Sequence, residues 1–235
     1  MTHLHQELRS LLEKEAIPPS EFDIAHYLGS SQNFLHLSTP TKEKIVRHFV
    51  DSHSTTPLRD WEILLADLAK SPIHEERISL GSILARHTEL RISIHPSLID
   101  IWLDTLSGWN QVDCLCQNVF QSEQILDQWS RWQPFLRTLS HSPNINKRRA
   151  ALVLLTKPVE KSPDPRLKDI AFATIILLMP EREILITKAI SWLLRSLSRQ
   201  YAAEVTAFID LHESQLPKIA VREARKKILT GKKNG

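Results

Sequence analysis

In the segment GWNQVDCLCQ, residues 108–117, Trp109 and Asp113 stand four positions apart. On a helix that spacing puts an indole and a carboxylate on one face, one turn from each other. Ring faces attract positive charge, and a nearby carboxylate adds a Coulomb attraction that grows as water is excluded. The chemistry open to such a pair is recognition of a cation. A second set of residues carries the opposite charge. KEKIVRHFV begins at Lys42, RISLGSIL at Arg77, RAALVLL at Arg149, KAISWLLR at Lys188 and REARKKIL at Arg222, each a base followed by an apolar stripe. Any one of these bases alone reads as the solvated end of an amphipathic helix. Five in a common register describe a track that can bind a polyanion.

The elements that must position these residues are helices. The chain of 235 residues is 42% hydrophobic and has only 5 glycines, and no alternating Val/Thr/Tyr runs of the kind strands need. Turn signals at Pro18-Pro19, Thr39-Pro40, Pro57, Ser71-Pro72, Pro96, Ser142-Pro143, Pro158, Ser162-Pro163, Pro180 and Pro217 cut it into amphipathic segments, as antiparallel helix pairs require. The five basic starts are separated by 35, 72, 39 and 34 residues, and the long interval is two ordinary ones. The period is that of a helical solenoid. The omitted step, 36 residues past Arg77, falls on Asp113, so an acid stands where the series has a base. We therefore expect one all-α domain over 1–235, an α-solenoid of HEAT-like helical repeats, curved, with a basic concave face that Asp113 interrupts.

Composition narrows the partner. Net charge is +3 with a pI near 8.9, a weak pointer to a polyanion by itself, so the placement of charge matters more than its sum. Phosphates at regular spacing suit a regular track, because each one neutralised releases counterions. Duplex DNA is the expected partner. Trp192 follows Lys188 by four residues, and the register makes Lys188 the counterpart of Asp113, so two indoles are expected to flank one carboxylate. A cation that belongs to DNA is an alkylated purine, whose ring charge weakens its glycosidic bond. As that bond breaks, positive charge moves onto the deoxyribose, where a fixed carboxylate stabilises it and positions the attacking water. Neither metal nor cofactor is needed for that step.

These residues resemble the AlkD-type DNA alkylation repair family, HEAT-like repeat DNA glycosylases. The likeness runs through FLHLSTPTKEKIVRHF (34–49), GWNQVD (108–113), NKRRAALVLL (146–155), TKAISWLLRSLSR (187–199), VTAFID (205–210) and REARKKI (222–228). Its most specific pieces are Trp109 with Asp113, KAI-x-W ending at Trp192, and Arg222-Glu223-Ala224. The resemblance implies removal of 3-methyladenine and 7-methylguanine from duplex DNA without the usual base extrusion. It assigns catalytic roles to Asp113, Trp109 and Trp192 and carries the family's arginine onto Arg149, with Arg148 beside it on the DNA backbone. Tyr27 matches a further cleft aromatic and equally fits a packing role. The chain departs from the family pattern at Asn110, where an acid is common, at Asn146, where a tryptophan usually precedes the arginine, and at Ser196-Leu197, where Glu-Tyr is frequent. The alternative reading is a noncatalytic helical-repeat protein that binds bent or branched DNA, and a third is a protein-binding scaffold.

The remaining signals are bland. No Gly-rich phosphate loop, GxSxG, HExxH or paired CxxC occurs. Cys114 and Cys116 are two apart, turned about 200° from each other on a helix, so neither chelation nor a disulfide is expected and a reducing compartment fits. The N-terminus breaks its apolar positions with charges, unlike a signal segment, and no apolar run spans a bilayer. We expect a cytoplasmic monomer, nucleoid-associated if bacterial, with no membrane contact and no obligate protein partner. The turn at residues 29–40 is either an ordinary capped helix start or a phosphate cradle. Trp129 and Trp132 are expected to pack rather than stack on bases. The tail cations Arg225, Lys226, Lys227, Lys232 and Lys233 are expected to add nonspecific affinity for DNA.

Overall fold

The computed structural model describes residues 2–117 and 119–232, so Lys233 of the basic tail lies outside the described residues. Fifteen helices form among the described residues: α1 His3–Lys14, α2 Ile24–Leu28, α3 Thr39–Ser52, α4 Leu58–Ala69, α5 His74–Arg86, α6 Thr88–Ser93, α7 Pro96–Thr105, α8 Gly108–Cys116, α9 Ser122–Asp127, α10 Trp129–Ser140, α11 Ile145–Lys161, α12 Pro165–Leu178, α13 Ile184–Leu197, α14 Ala202–His212 and α15 Lys218–Thr230. No strand forms among them; one isolated bridge pairs Asn33 with Ile73. The all-α, helical-repeat reading holds.

The helix starts follow from local chemistry. Ser38 caps α3 by accepting from the Thr41 amide, with Pro40 in the first turn. Asn144 caps α11 through the Asn146 amide, and Asp164 caps α12 ahead of Pro165. Such caps satisfy amides that have no partner within the helix. The period is visible in the elements themselves. Six helices, α3, α5, α8, α11, α13 and α15, begin at 39, 74, 108, 145, 184 and 218, in steps of 35, 34, 37, 39 and 34.

The chain divides into two compact units between Val119 and Phe120. In the first, α3 and α8 flank α5, while α1 and α4 pack against this row. In the second, α11, α13 and α15 lie side by side, backed by α10, α12 and α14. Helix α11 is enclosed by α9, α10, α12 and α13, which is why Ala150, Ala151, Leu152, Val153, Leu154 and Leu155 are buried in unbroken succession. A helix apolar all round belongs in a core. Trp132 is fully buried against Phe120 and Phe135, at 4.9 and 5.8 Å between ring centroids. Trp129 lies half-buried beneath the Arg166 guanidinium, 5.6 Å from the ring centroid.

Candidate nucleic-acid interface

Helix α8 carries Trp109 and Asp113, and its seat in the first unit is unusually close. Gly81 of α5 meets the α8 backbone so tightly that a Cβ there would lie 1.9 Å from the Cys114 carbonyl oxygen. Gly108, at φ +76°, opens α8, where a Cβ would come within 2.0 Å of the Leu28 carbonyl oxygen. Only glycine fits both the dihedral and the space.

A buried polar cluster fixes the first turn of α8. Gln111 accepts from the Ser107 amide at 2.9 Å and donates to Gln32 Oε1 at 2.7 Å. Ser107 and Ser30 hydroxyls also donate to Gln32 Oε1, at 2.9 and 2.6 Å. His74 completes the cluster: its Nε2 is 3.0 Å from Asn110 Oδ1, and its Nδ1 is 3.1 Å from Ser30 Oγ and 3.2 Å from Gln111 Nε2. The imidazole stacks on Phe34 at 4.6 Å. Burial pushes it below the ordinary histidine range, outweighing the Asn110 bond that favours its charged form. The neighbouring loop is tied down by Glu75, whose carboxylate accepts from the Leu35 and Leu37 amides at 3.0 and 3.3 Å. The turn at 29–40 therefore ends in an ordinary Ser38 cap.

On this frame Trp109 is half-buried. Its Nε1 donates to the Tyr27 carbonyl at 2.9 Å, and its ring meets that of Tyr27 edge-on at 5.6 Å. Tyr27 is 58% exposed and touches Phe22, 59% exposed, at 5.5 Å. Asp113, one turn on from Trp109, retains 8% of its surface. Both cysteines are free thiols, and burial pushes the Cys114 thiol up to about 11. Trp192 is half-buried on α13 of the second unit.

The bases fall into two groups. Lys42 is 2% exposed, bonded to Ser82 Oγ at 2.8 Å and paired with Glu43 at 2.7 Å. Arg77 donates to the Ser71 carbonyl at 2.6 Å and to the Thr105 carbonyl. Arg148 grips Glu181 with two bonds of 2.8 and 3.0 Å and also donates to the Ser142 and Pro143 carbonyls. Arg149 is buried, donating to the Leu185 carbonyl at 2.5 Å. Each of these four is engaged within its own unit. Lys188 and Arg222, by contrast, are exposed, and their side chains meet no hydrogen-bond or ion-pair partner among the described residues.

The second unit adds two exposed bases that the sequence reading passed over. Arg182 and Lys218 line a cleft of about 500 Å³ with Thr187, Glu213, Ser214 and Leu216. Arg182 donates to the Met179 and Glu181 carbonyls, while Glu213 is paired with Arg225 at 2.8 Å. Their sequence signal was position, since Arg182 precedes α13 and Lys218 opens α15. The REA segment divides its labour: Arg222 faces solvent, Glu223 accepts from Ser191 Oγ at 2.6 Å, and Ala224 is fully buried. No three His, Cys, Asp or Glu side chains converge as a metal site among the described residues.

Paired helices recurring at these steps define a helical-repeat protein. The chain belongs to the family of DNA alkylation repair enzymes, whose model matches residues 8–228. A solved structure from Enterococcus faecalis, described as a predicted DNA alkylation repair enzyme, shares the fold with a TM-score of 0.68 and 19% sequence identity, over 88% of this chain and 93% of that one. No curated protein matches the chain. No helix among the described residues is long and apolar enough to cross a membrane.

Proposed function

We propose that the protein is a monofunctional DNA glycosylase that excises positively charged alkylpurines, 3-methyladenine and 7-methylguanine among them, from duplex DNA. The observation that carries this reading is the constellation on α8: Asp113 keeps a small opening to solvent one turn from Trp109, and Trp109 is locked edge-on to the exposed Tyr27. In this reading Asp113 stabilises the oxocarbenium-like sugar and orients water, and Trp109 and Trp192 cradle the damaged nucleotide. The reading takes residues 1–235 as a single HEAT-like domain acting as a monomer. Its DNA contacts come from Lys188 and Arg222, with Arg182 and Lys218 adding to them; Arg148 and Arg149 brace the start of α13 through Glu181 and Leu185, while Lys42 and Arg77 brace the first unit.

Incubation with duplex DNA bearing 7-methylguanine tests the reading. Base release well above the spontaneous rate is expected. Release at the spontaneous rate, with duplex still bound, would replace this reading by a noncatalytic DNA-binding repeat protein, which the exposed bases of the second unit would serve equally well.

A further inference from the structure

His74 sits against the turn that carries the α8 residues, and its bonding suits the neutral imidazole. The Ser107 amide needs an acceptor, so Gln111 must present its oxygen there and its NH2 group toward His74 Nδ1. The Ser30 hydroxyl hydrogen is directed to Gln32 Oε1 at 2.6 Å, and its oxygen accepts from Gln111 Nε2 at 3.1 Å. Nδ1 faces the Gln111 amide nitrogen, which cannot accept, and Nε2 faces Asn110 Oδ1, which can, so the neutral ring with its proton on Nε2 suits both contacts. A second proton, on Nδ1, would meet the Gln111 NH2 group, which cannot accept it, and would have to share the Ser30 oxygen with that group. The imidazole cannot retreat, because its own amide is bonded to the Asn33 carbonyl at 2.8 Å and its ring is stacked on Phe34. Around it stand Glu75 on its own helix, which favours the cation, and Arg77 on that same helix and Lys42 of α3, which oppose it. From α8 and the 30–34 loop it meets Asn110, Gln111, Ser30 and Phe34, none of them charged.

We propose that His74 is a positioning residue, held as the neutral Nε2–H tautomer, which fixes the first turn of α8 and with it Trp109 and Asp113, and that protonating its Nδ1 releases that turn. Asn110 gives the arrangement its sense. A neutral amide oxygen accepts the Nε2 proton without stabilising an imidazolium as a carboxylate would, so the pair is built to be uncharged. The consequence for excision rests on the reading of Asp113 and Trp109 given above; the coupling of His74 to α8 does not.

Two readouts separate these. The first needs no substrate: the indole N–H resonance of Trp109, assigned by its loss in Trp109→Phe, reports the bond to the Tyr27 carbonyl and is followed with the His74 ring resonances as pH is lowered. The indole signal is expected to move with the midpoint of His74, below the ordinary histidine value of about 6.5, and to stay fixed over that range in His74→Gln, whose amide N–H can still reach Asn110. An indole signal indifferent to the titration, or a ring that stays neutral until the protein unfolds, would overturn the proposal.

The second readout is 7-methylguanine release against pH. The wild type should lose activity over the same interval, His74→Gln should lack that acidic limb, and His74→Ala should be slower by about tenfold or more throughout. A limb unchanged in His74→Gln would assign it to another group and overturn the catalytic part. Coupled resonances in a protein that releases no base at any pH would instead uphold the positioning and reject the glycosylase reading.

Discussion

At the scale of single residues, the bases show how one residue type divides between internal support and solvent exposure. Arg148 spends its guanidinium on Glu181 and two carbonyls, so Arg148→Ala should cost about 2 kcal/mol of stability, read as a lowered midpoint in urea. Lys188→Ala and Arg222→Ala should leave that midpoint in place and each reduce the slope of log affinity for duplex against log salt by about one. Inverted outcomes, with Arg148 setting the salt slope and Lys188 the stability, would contradict the division. The sequence showed that basic residues recur in register but not which way they turn. Lys42 looked solvated until folding brought Ser82, 40 residues away, to its ammonium group beside the adjoining Glu43. Arg77 and Arg148 each donate to the carbonyl six residues back, which pairs Arg77 with Arg148 in the repeat, one residue from the Arg149 match that spacing suggested.

Among the elements, α8 is held least replaceably. Gly81→Ala would drive a methyl group into the Cys114 carbonyl, and the backbone, unlike a flexible side chain, cannot yield without moving the helix. We expect a loss of about 1–3 kcal/mol, seen by thermal unfolding, together with a change in the Trp109 indole environment. Unaltered stability in Gly81→Ala would mean that the α5–α8 crossing is looser than described. Helix starts were legible in the sequence because caps and prolines are local: Ser38 with Pro40 and Asp164 with Pro165 act within one turn. The seat of α8 was not legible. Its partners Gly81, Leu28, Gln32 and His74 are 27 or more residues away in sequence, and no local pattern records a close approach between distant segments.

Across the whole molecule, stability should vary with pH through Glu76. Burial opposes its charge, but bonds from Arg9 at 2.6 and 2.9 Å, His5 at 2.8 Å and Ser71 outweigh that and hold the carboxyl at about 2. The folded value lies below the unfolded one, so this contribution, up to about 3 kcal/mol, is complete above pH 4.5 and is lost as pH falls toward 2. Glu76→Gln should unfold more readily at neutral pH and should flatten the acid dependence; an acid limb as steep as the wild type's would move its origin elsewhere. The repeat architecture was readable as a whole because 35, 34, 37, 39 and 34 residues separate successive helix starts, a period that survives individual substitutions.

In the proposed glycosylase reaction the Asp113 carboxylate lowers the barrier to glycosidic cleavage. Single-turnover release of 7-methylguanine from duplex DNA, compared between the wild type and Asp113→Asn with duplex affinity measured alongside, tests it most directly. Release slower by on the order of a hundredfold, with affinity preserved, is the result expected. Equal rates in the two proteins would contradict it.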